Sequence, residues 1–184
     1  MFWIFLRDSL QLIISPKNGW EDIAYDDSDV QRLITGGFIP WLVIASLVSL
    51  LGLYYTQSFS VLSVLHSLIS TFLVFFIGYY ISVALFSFYM PSLTHGDSIE
   101  SHNNTFLLYN VALLATIGII RDALPIDLAM LNFFPLYVLY IMWRGARYLK
   151  VSRLEQGRFI LLSLIGVIVP PYLLQVLFSL ILPS

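Results

Sequence analysis

Hydrophobic positions in this chain fall into long unbroken tracts rather than into the alternating or one-faced patterns of soluble strands and helices. From Leu33 to Gly96 the sequence runs 64 residues, positions 33 to 96, without a formal charge. As one helix that tract would be about 96 Å long at 1.5 Å per residue, against a bilayer hydrocarbon core of roughly 30 Å. It therefore predicts two crossings with a turn inside. Thr56-Gln57-Ser58-Phe59-Ser60 is its polar break, which puts spans at 33–55 and 61–89, the second closed by Met90-Pro91. A second charge-free run, Phe159 to Ser184, predicts a span at 159–182.

Two shorter apolar segments lie between them, at 105–124 and 126–143, joined by a tight turn through Leu124-Pro125-Ile126-Asp127. Each is near the lower length limit for a crossing, so the pair reads as two spans or as a re-entrant hairpin. The expected fold is all-α: a polytopic transmembrane bundle of five spans over residues 30–184, preceded by an N-terminal segment, 1–29. Ser28 with Gln31, and Asp97 with Glu100, have the spacing of capping boxes opening the first and third spans.

The first 14 residues are too short to cross. Arg7, Asp8 and Gln11 share one helical face, with Phe2, Trp3, Phe5, Leu6 and Ile13 largely elsewhere, a pattern that predicts an amphipathic helix lying in the membrane interface. No positive stretch precedes the apolar run and no small-residue cleavage site follows it, so it does not read as a signal peptide. Ser15-Pro16 then opens a second short helix, in which Trp20 is placed to anchor at headgroup depth.

Composition agrees with this picture: 59% of residues are hydrophobic and 11% charged, where soluble domains carry about 25% charged residues. Basic residues fix the orientation. Arg7, Lys17 and Arg32 precede the first span, and Arg144, Arg147, Lys150, Arg153 and Arg158 join the last two. An N-terminus in the cytoplasm and a C-terminus outside put eight of the nine basic residues inside, leaving Arg121 outside. The expected location is a bacterial cytoplasmic (inner) membrane. A net charge of −2 argues against nucleic acid as a partner, and with no cysteine there is neither a disulfide nor a thiolate site.

The candidate binding surface is the basic connection. Arg144, Arg147 and Lys150 recur every three residues; with Arg153 and Trp20 they suit anionic lipid headgroups or an acidic partner, each basic residue contributing about 1 kcal/mol near the surface. The alternative is that they only set topology and pair with Glu21, Asp22, Asp26, Asp27 and Asp29. His95 and His102, with Asp97 and Glu100, are possible metal ligands, but their spacing matches no metal site. His66, Asn110, Asn132 and Gln175 fall at membrane depth, where polar side chains bond neighbouring helices or line a pathway. The sequence contains no G-x-S-x-G elbow, P-loop or H-E-x-x-H motif, so it points to no enzyme and no cofactor.

Two stretches, Ile14-Ser15-Pro16-Lys17-Asn18-Gly19-Trp20-Glu21-Asp22-Ile23-Ala24 and Tyr140-Ile141-Met142-Trp143-Arg144-Gly145-Ala146-Arg147-Tyr148-Leu149-Lys150-Val151, set before and among five hydrophobic segments, resemble those of the Yip family of Ypt/Rab-interacting membrane proteins, especially its short bacterial members. The resemblance implies a five-helix membrane domain with a cytoplasmic N-terminus; trafficking members bind small GTPases and one another. This chain departs from those members in lacking a long N-terminal domain and a D-L-Y-G-P motif. The expected function is non-enzymatic: organising membrane by binding lipids, other membrane proteins or further copies of itself. The alternative is a small transporter or channel whose pathway runs between helices broken at Pro40, Pro135 and Pro170-Pro171.

Overall fold

A computed structural model of the protein describes residues 1–26, 29–57, 60–94, 100–124 and 129–181. Regular structure among the described residues is helical throughout. Two short helices, α1 (Phe2–Ile14) and α2 (Pro16–Asp26), form a hairpin that turns at Ser15. Among the described residues, four helices are long and apolar enough to cross a membrane: α3 (Val30–Tyr55), α4 (Val61–Leu93), α5 (Glu100–Ala123) and α7 (Arg153–Ile181). Between the last two lies α6 (Phe134–Gly145). The protein is thus a helical, multi-pass membrane protein.

The helix ends follow from local chemistry. Asp29 caps α3 by accepting the Gln31 amide at 3.3 Å, while Ser28 of the expected capping box lies outside the described residues. Ser60 and Ser63 form a reciprocal capping box at the start of α4, where the polar break predicted a turn. Pro91 does not end α4 as expected. The helix continues through it to Leu93, because a proline one turn from the C-terminus removes a single backbone bond.

The fourth predicted span, 126–143, is not among the four long apolar helices. Its residues 134–143 fall in the 12-residue α6, which rises about 18 Å and is preceded by a 3₁₀ turn over Ala129–Phe133. Pro135 near the helix start limits how far back the α-helix can reach. By contrast α5 runs 24 residues, about 36 Å, without reversing, so the third segment contains no re-entrant turn. The chain still returns after α5. Gly145 at the end of α6 meets the Phe106 ring near the start of α5, and Phe159 of α7 packs on Phe106 with centroids 5.8 Å apart.

At the centre stands α5. Every residue from Thr105 to Ala115 is buried, and the helix touches α1, α3, α4, α6 and α7. Such all-round burial marks an interior helix. It is also the least apolar of the four long helices, whereas α4, with only 17% of its most apolar window buried, turns most of its surface outward. Lipid demands apolar side chains; a protein-filled interior does not.

Prolines widen two helices without opening them. Pro40 and Pro170 each follow a glycine four residues back, Gly36 and Gly166, whose carbonyls the proline rings would otherwise crowd. In both places the helix takes a π-turn: the amide of Ile39 donates to the Ile34 carbonyl, and that of Val169 to Leu164, five residues back.

Close packing at glycine joins the pieces, as expected where lipid supplies no hydrophobic drive between helices. A Cβ at Gly37 would lie 2.6 Å from the Phe5 ring, and one at Gly145 would lie 2.6 Å from Phe106 and 2.9 Å from Trp20. Gly145→Ala should therefore cost about 1–3 kcal/mol through overpacking. Gly52→Ala, whose Cβ meets nothing within 4 Å, should be neutral or gain up to about 1 kcal/mol. Thermal unfolding in detergent micelles checks both, and equal midpoints for the two variants would contradict this packing.

Candidate functional site

The α1–α2 hairpin docks on the end of the bundle where Phe106, Gly145 and Phe159 meet. Trp20 is its anchor. The indole is 3% exposed, stacks between Phe106 and Tyr148 with centroids 5.2 and 5.3 Å away, and donates Nε1–H to the Ile141 carbonyl at 3.0 Å. Trp20 thus belongs to the core rather than to the headgroup layer expected for it. The vacant side-chain position at Gly145 makes the room. A second tie joins the hairpin to α6: the Tyr137 hydroxyl donates to the Ile13 carbonyl at 2.6 Å.

Helix α1 is turned opposite to its predicted amphipathic arrangement. Asp8 is 3% exposed and Ser9 is buried beside Phe5 and Leu12, while Trp3, Leu10 and Ile14 face outward with Arg7. Arg7, Asp8 and Gln11 therefore do not share a water-facing strip. The buried carboxylate is held by partners that the sequence pattern does not reveal: Tyr109 Oη donates to Asp8 Oδ2 at 3.1 Å, and Arg7 reaches Oδ1 at 2.8 Å. Asp8 in turn pushes the Arg7 guanidinium above its ordinary range, by hydrogen bond first and by charge second.

Docking α2 onto α6 brings Lys17 over the basic connection. Lys17, Arg144, Arg147 and Lys150 line an open cleft backed by Trp20 and Tyr148, with Glu21 and His102 also on its wall. An adjoining smaller recess repeats Lys17, Arg144 and Arg147 with Trp143 and Gln156. The expected pairing with the acidic N-terminal stretch is sparse. Lys17 approaches Glu21 at 3.9 Å, and among the described residues Arg144, Arg147, Lys150 and Arg153 form no ion pair. Asp22 instead accepts from the Gln11 amide. Of the expected surface, Arg144, Arg147 and Lys150 come together; Arg153 lines neither recess.

Lys150 sits in an unusual backbone state, with φ at +55°. The amide of Val151 donates to the Ala146 carbonyl at 2.9 Å and that of Lys150 to Arg147 at 3.1 Å, the paired bonds of a Schellman turn. Glycine normally takes the left-handed position, because a Cβ there costs roughly 1–2 kcal/mol. Here that position holds a lysine, directed into the cleft.

The remaining candidates are scattered. His66 is half-buried on α4, away from both recesses. Asn110 is fully buried on α5; its Nδ2 donates to the Phe106 carbonyl at 2.7 Å, and its Oδ1, like Asn103 Oδ1 and Ser163 Oγ, has no protein partner. Asn132 and Gln175 are exposed on the bundle surface. His102 packs its ring on Tyr148 at 5.0 Å, whereas His95 and Asp97 lie outside the described residues. Among the described residues no group of three or more acidic or histidine side chains is arranged to hold a metal. Lys17, Asp8 and Tyr109 are the residues sequence reasoning missed. Nothing in the spacing links position 17 to 147, or 8 to 109.

No protein-family model matches this chain, and neither a curated protein nor a solved structure resembles it significantly.

Two consequences follow for stability. Tyr109→Phe should cost about 1.5–3 kcal/mol, the worth of a hydrogen bond to a charged group plus the loss of one partner from a buried carboxylate. Lys150→Gly should raise stability by about 1 kcal/mol by relieving the left-handed strain. Denaturation monitored in micelles reads both; a Lys150→Gly variant less stable than the wild type would contradict the turn geometry.

Proposed function

We propose that this is a non-enzymatic integral membrane protein, similar in layout to the Yip family, that organises membrane by holding phosphate-bearing anionic lipid at its cytoplasmic rim. The single observation that carries the reading is the convergence of Lys17, Arg144, Arg147 and Lys150 on one aromatic-backed cleft, three of them without an ion-pair partner among the described residues. Guanidinium groups match phosphate oxygens with paired donors, and ammonium groups add mobile point charge. A lysine occupying a strained turn position where glycine would be easier fits a demand for charge rather than for stability.

In this reading the chain crosses five times, its fourth passage made by α6 with the turn before it, and its N-terminus lies in the cytoplasm. What supports the orientation is the gathering of eight of the nine basic residues at the Trp20 end of the bundle, with Arg121 at the other. Anionic lipid in the cytoplasmic leaflet supplies the matching charge. The two stretches that resemble the Yip family are the two that meet in space, through Trp20 with Ile141, Gly145 and Tyr148. The α1 surface carrying Trp3, Leu10 and Ile14 would rest among acyl chains.

Replacing Arg144, Arg147 and Lys150 with glutamine should weaken retention of phosphatidylglycerol by roughly two orders of magnitude, at about 1 kcal/mol per residue, and leave retention of phosphatidylethanolamine nearly unchanged. Native mass spectrometry of protein purified with defined lipids measures this. Lys150→Gly, stabilising in itself, should share part of the loss. Unaltered phosphatidylglycerol retention in the triple variant would remove the lipid assignment.

A further inference from the structure

The end of the bundle opposite the basic cleft is marked by the Tyr55 hydroxyl, which donates to the Ala123 carbonyl at 3.3 Å, and by Arg121. Beside it a shallow groove opens where α7 follows α4 and diverges from α5. Val74 and Phe75 of α4 and Leu114 of α5 wall it, with Tyr172 and Gln175 on the α7 side and Arg121 at one end. Two features shape it. Pro171, seated 3.1 Å from the Cβ position of Gly78, directs α7 along α4, and Gly118 leaves the α5 wall bare, since a Cβ there would meet nothing within 4 Å.

We infer that this groove is a second lipid site, taking one acyl chain of a phospholipid whose phosphate bonds to Arg121. Val74, Phe75, Leu114 and Ile117 make the apolar part of the walls, Gln175 and Tyr172 add polar groups, and α7 exposes Leu173, Val176 and Leu177 beside it. Arg121 gives only Nε–H to Asp122, at 3.2 Å, so its terminal nitrogens remain as paired donors among the described residues. Asp122 already supplies Arg121 with an ion pair, and a phosphate would match the fork of terminal nitrogens left on its free side. The site is independent of the basic cleft: the two share no residue and lie at opposite ends of α5.

The test is photocrosslinking in nanodiscs containing a phospholipid with a diazirine midway along one chain. In the wild type, adducts should concentrate on the peptides carrying Val74–Phe75 and Leu114–Gly118. Gly118→Phe, which fills the groove, should lower them at least fivefold, and Arg121→Gln at least threefold. Gly118→Leu gives the same reading with a smaller side chain should the phenylalanine disturb folding. The triple glutamine variant of the basic cleft should leave these adducts intact. Adducts spread evenly over the exposed Leu62, Leu65 and Ile69 face, or unaffected by both the Gly118 and Arg121 replacements, would overturn the site. So would their loss in the basic-cleft variant.

Discussion

A tryptophan seated where a glycine leaves room is the joint on which the architecture at this end of the bundle depends. Trp20 enters the space above Gly145, stacks between Phe106 and Tyr148 and satisfies its indole N–H on the Ile141 carbonyl. That one contact couples α2, α5 and α6. It fixes the distance between Lys17 and the arginines of the following turn, and so gives shape to the cleft. A β-carbon at position 145 or a smaller ring at position 20 would loosen both the hairpin and the charge cluster.

Around this joint the bundle is ordered by its solvent. Lipid contributes no drive for helix association, so close approach and internal hydrogen bonds carry it. The helix that touches most neighbours is accordingly the one that tolerates Asn103, Thr105 and Asn110, while the less buried α4 is the more apolar of the two. α1 buries Phe5 and Leu12 together with Asp8 and Ser9, whose polar atoms are satisfied by Tyr109, Arg7 and backbone, while Trp3, Leu10 and Ile14 face outward.

Much of the layout was legible from charge alone. The uncharged tract from Leu33 to Gly96 divides where Ser60 caps a helix, and the final run from Phe159 is one long helix. The fourth segment was not legible in detail, because apolar composition cannot distinguish one continuous helix from a short helix behind a 3₁₀ turn. The proline signals at Pro40 and Pro170 suggested breaks; the paired glycines four residues earlier, which permit π-turns, were the clue that they are not. At the site, Arg144, Arg147 and Lys150 were legible because they lie close in sequence. Lys17 was not, since its approach depends on the Trp20 joint, and the burial of Asp8 depends on a tyrosine 101 positions away.

The most direct measurement of the central claim is an experimental structure in nanodiscs rich in anionic phospholipid. The account predicts a headgroup phosphate within hydrogen-bond reach of Arg144 and Arg147, under Lys17 and beside Tyr148. Density that instead joins those arginines to Asp22 or Asp26, with no phosphate between the helices, would contradict it.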